Sequence, residues 1–440
     1  MGSIRVEPRV IVDASEQFGI VRGVHETNVD RALNLIIKED GQHFRLRIQT
    51  SDPELLAALG EDIQRAPLIP LTRTELAGHV QECRQTWMSK VVNRLVGEQL
   101  LFQNAWNLAA SPEILNDALP DLAKAGAKLF LAIFYPQRMD GGEDDEILRR
   151  IGKILRDEMA RVTRWVRVSS SSFFAPWSLI YSEPVDRDNI RLEGFWGYQH
   201  MVEHTPSDSG SLGNELAFTQ PLRIGLQIDQ TIDTELDVSC LKPVRELLAS
   251  YAGGLLQEER PLRDIFEQAL RSGPPADQIL YFCCHAQQEG DATAIRQDQS
   301  YLILSDRPEE LLDNRITPTD IRMWMDMNTF RSSPLVFLNT CGGGQMNSLF
   351  YESFGRMFLG LQASAVVGPQ TEAPAVFAGE FGRRFLAAFF EGGRDRQVGK
   401  ILFQLRREFL TVHHNPLGMI YSLYRGADVF LPVGLRKSDS

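Results

Sequence analysis

Hydrophobic residues in the second half of the chain fall into two alternating patterns. Short continuous apolar runs predict buried strands of a parallel sheet, because both faces of such a sheet are covered. Longer stretches with helical spacing lie between them and predict the connecting helices. We therefore predict an α/β fold with a mostly parallel sheet covered by helices on both faces. The runs that predict its main strands are 223–228, 279–284, 335–340 and 363–368.

The N-terminal part has a different pattern. Runs 33–37 and 44–48 flank Asp40-Gly41, a pair typical of a tight hairpin turn, so residues 1–75 are predicted to form a β-rich accessory domain. Helical spacing dominates residues 76–160, which we interpret as a connecting region. Residues 161–440 then form the predicted α/β domain. A length of 440 residues is typical of such a multidomain chain.

Composition narrows the class of protein. The net charge of −12 argues against direct binding of nucleic acid. The five cysteines are odd in number and irregularly spaced, which favours a reducing cytoplasm over a disulfide framework. No apolar stretch approaches the ~20 residues of a membrane helix, and the N-terminus has no signal-peptide pattern. The sequence has no nucleotide-binding or metal-binding motif, so we expect no cofactor and no metal.

Two of the predicted strands end next to residues that can do covalent chemistry. His285 follows the run 279–284, and Cys341 follows the run 335–340, a separation of 341 − 285 = 56 residues. Ligands of open α/β sheets bind at the carboxyl ends of the strands. A thiolate with a neighbouring imidazole base is the arrangement of a cysteine hydrolase. We therefore predict Cys341 as nucleophile and His285 as base, with backbone N–H groups of Ala286 and Cys341 stabilising the oxyanion.

Other residues near these strand ends have weaker assignments. Cys283 and Cys284 lie within the apolar run and are interpreted as core residues. Residues in loops after the strands are candidates for a substrate pocket, although acidic loop residues are more often merely solvated. The pocket candidates are Asp291, Gln370, Thr371 and Glu372.

Five motifs occur in order along the chain. Two of them are the histidine segment Tyr-Phe-Cys-Cys-His-Ala ending at Ala286 and the nucleophile segment Phe-Leu-Asn-Thr-Cys-Gly ending at Gly342. The remaining motifs are Pro-Trp-Ser-Leu-Ile-Tyr at 176–181, the segment 354–368 and the closing segment 415–426. Together these motifs resemble the CHAT family, caspase-like cysteine proteases of the caspase and separase clan. The resemblance covers roughly residues 100–435, so the helical region would include the start of the CHAT part.

The resemblance implies a caspase-like protease domain, a His285–Cys341 dyad and no cofactor. It also implies a protein substrate, a role in bacterial defence or conflict, and an activator that docks on the N-terminal region. The chain departs from the family pattern at Ala286, where Gly is usual, and at Gly342, where an acidic residue is usual. A catalytically idle adaptor with the same fold therefore remains an alternative, as does a hydrolase or transferase that acts on a small molecule.

Overall fold

A single large sheet organises the structure, a computed structural model in which eleven strands of the described residues are hydrogen-bonded side by side. The structure describes residues 32–101, 105–136, 142–206, 214–216, 218, 220–235, 238–273, 275–288, 300–305, 314–326, 328–340 and 348–437. The strands are β1 (Ala32–Asp40), β2 (His43–Thr50), β3 (Leu68–Ile69), β4 (Leu95–Val96), β5 (Gln99–Leu100), β6 (Trp165–Ser169), β7 (Met201–Thr205), β8 (Leu222–Ile228), β9 (Leu255–Glu259), β10 (Ile279–Cys283), β11 (His285–Gln288), β12 (Ser300–Ile303), β13 (Arg315–Ile316), β14 (Leu335–Leu338), β15 (Ala365–Pro369) and β16 (Tyr421–Tyr424).

Helices alternate with these strands along the chain. They are α1 (Pro53–Leu59), α2 (Arg73–Trp87), α3 (Pro112–Phe134), α4 (Glu143–Met159), α5 (Trp196–Gln199), α6 (Ile232–Glu235), α7 (Leu241–Ala249), α8 (Arg263–Arg271), α9 (Pro318–Trp324), α10 (Ser348–Gly360), α11 (Ala375–Phe390) and α12 (Val398–Thr411). Within the described parts of the chain, no helix is both long enough and apolar enough to cross a membrane.

The strand order in the sheet is β3-β2-β1-β6-β7-β16-β15-β14-β10-β8-β9. Strands β9, β8, β10, β14 and β15 run parallel to one another, and β16 is antiparallel to β15. The predicted α/β class with a large, mostly parallel sheet is thus confirmed. The predicted strands at 223–228, 279–284, 335–340 and 363–368 correspond to β8, β10, β14 and β15.

Side chains of β10 and β14 enter two different cores, because successive residues of a strand point to opposite faces. Tyr281 and Phe337 belong to a core with residues of α7, α11 and α12. Phe282 and Leu338 belong to the opposite core, with residues of α8, α9 and α10. Both faces of this part of the sheet are therefore covered by helices, which explains why its strands are continuously apolar.

The predicted N-terminal hairpin is present as β1 and β2. Gly41 occupies the turn with a φ of +64°, a left-handed conformation that glycine adopts without steric cost. Phe44, Leu46 and Ile48 are buried on one face while Arg45 and Arg47 are exposed on the other. β1 also pairs in parallel with β6, so the hairpin extends the main sheet. The domain boundaries predicted at residues 75 and 160 stay predictions.

The segment Lys128–Phe134 is compatible with a strand or with the buried end of a helix, and it forms the last turns of α3. Other elements differ from the sequence-based expectation. The helical region predicted for residues 76–160 is interrupted, because a π-helix at Met88–Val92 follows α2 and Leu95–Val96 then forms β4. β6, β7, β9 and β16 join the sheet without having been predicted as strands.

Candidate functional site at the carboxyl ends of the central strands

β10 and β14 are neighbouring parallel strands, and the segments that lead toward the two predicted reacting residues leave the sheet at one edge. Phe282 of β10 is the register partner of Leu338 of β14. His285 follows Phe282 by 285 − 282 = 3 residues, and Cys341 follows Leu338 by 341 − 338 = 3 residues. The two segments therefore leave the paired strands at the same level of the sheet, at the edge where α/β proteins bind ligands.

His285 is buried and lies where the chain leaves the main sheet. It is the first residue of β11, where it is the register partner of Ile303 on β12. The next residue, Ala286, is buried and faces Leu302 in the same small antiparallel sheet. The histidine is thus held between two sheets, with its backbone fixed on both sides.

Cys341 and Asp291 lie outside the described residues, as do the three glycines after the cysteine. The described part of the nucleophile segment ends at Thr340, which is fully buried. The residue before Thr340, Asn339, is held by several hydrogen bonds.

Asn339 anchors the end of β14 through a buried hydrogen-bond network. Its backbone N–H donates to the carbonyl of Phe282 at 2.9 Å. Its side-chain amide donates to the Tyr281 hydroxyl at 2.9 Å and to the Ala378 carbonyl at 2.7 Å. The Tyr421 hydroxyl donates to the Asn339 side-chain oxygen at 2.5 Å. The residue two positions before Cys341 is therefore fixed to β10, α11 and β16, and sequence analysis did not single it out.

Asp229 occupies the equivalent strand end on the other side of β10. It follows β8 directly, is fully buried, and its backbone N–H donates to the Cys283 carbonyl at 2.9 Å. One carboxylate oxygen accepts hydrogen bonds from the Thr231 backbone at 2.9 Å and from its hydroxyl at 2.7 Å. The signal that could have identified it is its place, since the sequence predicted a strand ending at residue 228.

The cysteines next to His285 are part of the core. Cys283 and Cys284 are buried on opposite faces of the sheet. Burial raises the pKa of the Cys284 thiol well above its ordinary value, and the neighbouring Asp229 carboxylate raises it further. Protonated thiols are poor nucleophiles, so Cys284 is unsuited to attack at neutral pH.

The three described pocket candidates follow β15, the strand next to β14. Gln370 and Thr371 are buried, and Glu372 is half-buried. The Gln370 side chain accepts a hydrogen bond from Arg84 at 2.6 Å and donates one to the Tyr424 hydroxyl at 2.5 Å. Burial raises the pKa of the Glu372 carboxyl to about 7. Arg84, from α2, is a residue near this edge that sequence analysis did not identify.

His200 and His204, spaced four residues apart, are structural. His200 lies just after α5, and its Nδ1 accepts a hydrogen bond from the Arg164 backbone at 3.1 Å. His204 lies in β7, 3.0 Å from the Ser170 carbonyl through Nε2. Burial lowers the pKa of both, to about 4 for His204. In the described residues no group of three His, Cys, Asp or Glu side chains is placed to hold a metal ion.

Comparisons with known proteins find no sequence match and a partial structural match. No family model matches the sequence, and no curated protein matches it. Among solved structures, the chain is similar to Saccharomyces cerevisiae separase in two crystal structures of the separase–securin complex, at 3.0 and 2.6 Å resolution. The TM-scores are 0.40 and 0.41, the sequence identities 12% and 11%. The match covers 90% of this chain but spans only 30% of the separase chains.

Proposed function

We propose that the protein is a caspase-like cysteine endopeptidase with a His285–Cys341 dyad. The observation that carries this proposal is the equal offset of the two residues from the register pair Phe282 and Leu338. A base and a thiol that leave neighbouring parallel strands at the same level can share one cleft. The resemblance of the two segments to the histidine and cysteine motifs of the CHAT family supports the same roles.

The reaction follows from these two side chains. The imidazole of His285 accepts the proton of the Cys341 thiol, and the thiolate sulfur attacks the peptide carbonyl carbon. The C–N bond of the tetrahedral intermediate breaks as His285 returns the proton to the leaving amine. Water, deprotonated by the same imidazole, then cleaves the thioester and releases the new carboxylate. Backbone N–H groups of Ala286 and Cys341 donate to the oxyanion in both steps.

Buried hydrogen bonds and strand pairing in the segments that lead to the two residues support this chemistry. The Asn339 network fixes the backbone two residues before the nucleophile, and the β11–β12 pairing fixes the backbone of the base. A catalytic pair held by packed strands keeps its geometry without reorganisation during the reaction.

We further propose that a partner controls the enzyme and that its setting is a bacterial defence or conflict system in the cytoplasm. This part rests on the CHAT resemblance and on the five cysteines, whose odd number and irregular spacing favour a reducing compartment. The substrate is a protein, and the activator docks on the N-terminal region.

The test compares the wild type with Cys341→Ala and His285→Ala in lysate of the source cell, with and without the products of neighbouring genes. New peptide termini are mapped by mass spectrometry. We expect termini that require both residues and that persist in the matched control Cys83→Ala, which removes a buried thiol from α2. Identical termini in wild type and Cys341→Ala under every partner condition would overturn the peptidase proposal in favour of the adaptor, whose motif departures are Ala286 and Gly342.

A further inference from the structure

Arg84 joins the N-terminal helix α2 to the segment that follows β15. Its guanidinium donates a hydrogen bond to the Gln370 side-chain oxygen at 2.6 Å, across 286 residues of sequence. Both side chains are buried, with 3% and 4% of their surfaces exposed. Hydrogen bonds from a charged donor in a buried setting are among the stronger ones in proteins. The contact therefore couples the position of α2 to that of Gln370.

Gln370 in turn connects three elements. Its backbone N–H donates to the Ile420 carbonyl at 2.7 Å, and its amide nitrogen donates to the Tyr424 hydroxyl of β16 at 2.5 Å. With the amide oxygen bound to Arg84, each end of the side chain is engaged by a different element. Gln370 is the first residue after β15, so these bonds define how the chain leaves the strand.

The segment after β15 leaves the sheet next to the strand that leads to the predicted nucleophile. β15 is the parallel neighbour of β14, and Cys341 follows β14 by three residues. The residues that continue from Gln370 are Thr371 and Glu372, which with Gln370 we call the rim segment. α2 also contacts α10, the first described helix after β14. The helix α2 thus contacts both the rim segment and α10.

We propose that Arg84 is a positioning residue that holds the rim segment, so that the N-terminal region sets the shape of the cleft toward a bound peptide. The inference rests on the proposed peptidase function for its effect on substrate. Its structural part, the hold of Arg84 on the rim segment, stands independently of catalysis. A change in α2 caused by a docked partner would reach the cleft by this contact.

The test uses Arg84→Met, Gln370→Met and the double variant in the full chain. Arg84→Lys is the conservative variant, which keeps the charge if Arg84→Met does not fold. Arg73→Met is the matched control, because Arg73 lies on the same helix but is exposed and contacts Glu39. Arg164→Lys is the buried control, since Arg164 is fully buried and pairs with Asp52 in another part of the sheet.

The first readout is amide hydrogen exchange, which needs no activity. We expect Arg84→Met to speed exchange in residues 370–373 at least tenfold while exchange in β6 and β7 stays unchanged. The double variant should match the more affected single variant, because the two residues act through one contact. Equal exchange in Arg84→Met and Arg73→Met, or faster exchange spread over the whole sheet, would overturn the proposal.

The second readout is peptide cleavage, measured as separate kcat and KM values. We expect Arg84→Met to raise KM at least fivefold with kcat within twofold, Arg84→Lys to fall between it and the wild type, and Arg164→Lys to leave KM unchanged. An equal loss of kcat and kcat/KM would assign Arg84 to general stability and contradict a positioning role. A wild type that cleaves no peptide under any partner condition would overturn the peptidase proposal, and hydrogen exchange would still decide whether Arg84 holds the rim segment.

Discussion

The hydroxyl of Tyr421 donates a hydrogen bond to the side chain of Asn339 at 2.5 Å, and this contact joins β16 to the end of β14 across the intervening strand β15. The Asn339 amide also binds Tyr281 on β10. A single buried side chain therefore connects strands on both sides of the nucleophile segment. Loss of these buried hydrogen bonds should therefore lower the stability of the fold.

Replacing Asn339 with Leu should destabilise the protein by about 2–4 kcal/mol, because the Tyr281 and Tyr421 hydroxyls and the Ala378 carbonyl each lose a buried hydrogen bond. Urea unfolding followed by circular dichroism measures the change. Asn189→Leu, at an exposed loop position, is the control and should change stability by less than about 0.5 kcal/mol. Equal effects of the two variants would show that the network contributes little.

Gly382 of α11 lies against the same network. A Cβ at this position would be 2.6 Å from the Tyr281 hydroxyl oxygen and 3.0 Å from the Asn339 amide nitrogen. We expect Gly382→Ala to destabilise the fold by about 1–3 kcal/mol, since the network must shift to admit the methyl group. Gly78→Ala in α2 is the control: nothing lies within 4 Å of its Cβ, so alanine should stabilise the helix by about 0.5–1 kcal/mol. Thermal unfolding measures the melting temperatures of both variants. Shifts of the same sign in the two variants would contradict this prediction.

Cysteine reactivity should distinguish Cys341 from the buried thiols. Burial raises the pKa of Cys83 to about 12 and that of Cys284 well above its ordinary value, so both remain protonated at pH 7.5. We expect iodoacetamide to label Cys341 at least tenfold faster than these two in the native protein, as measured by peptide mass mapping.

The role of His285 predicts how this labelling changes with pH. Removing the imidazole in His285→Ala should slow labelling of Cys341 at pH 7 and move its pH profile toward that of a free thiol, near pH 8.5. His79→Ala, on α2, is the matched control and should leave the profile unchanged. A Cys341 profile that is the same in wild type and His285→Ala would contradict the dyad.

Glu372 predicts a dependence of stability on pH. Its pKa is about 7 in the folded protein, raised by burial from an ordinary value of 4.5, so the folded state holds the proton more tightly than the unfolded chain. Stability from this group is therefore present below pH 4.5 and is lost as pH rises toward and through 7, by at most about 3 kcal/mol.

The variant Glu372→Gln removes this titration. We expect it to be more stable than the wild type at pH 8 and similar to it at pH 4.5, measured by urea unfolding at both values. Glu61→Gln, at an exposed position, should show no such difference between the two pH values. A stability difference for Glu372→Gln that is equal at pH 4.5 and pH 8 would show that the carboxyl is not the cause.

Features with a local cause could be predicted from the sequence. The strands β8, β10, β14 and β15 were visible as continuous apolar runs, because strands buried on both faces must be apolar throughout. The β1–β2 turn was visible because Asp40-Gly41 suits a left-handed backbone. The start of α9 also has a local cause, because Thr317 and Asp320 form a capping box.

The placement of His285 and Cys341 at one edge followed from a rule about strand ends, and the strand order supports the placement of the two segments. Cys341 itself lies outside the described residues, so the dyad stays a prediction. Its candidate neighbours were harder to foresee. Asp291 stays untested, whereas Gln370 is a buried partner of Arg84 and Tyr424.

By itself, the sequence determined the α/β class, the main strands and the two residue types that can do covalent chemistry, because apolar runs, turn residues and nucleophiles are properties of short segments. Only the tertiary structure decided that β1 pairs with β6, that Asn339 joins β10 to β16, and that Arg84 reaches Gln370. These relationships join residues far apart in the chain. A buried polar contact depends on where both partners fold, and neither partner carries a local pattern that identifies the other.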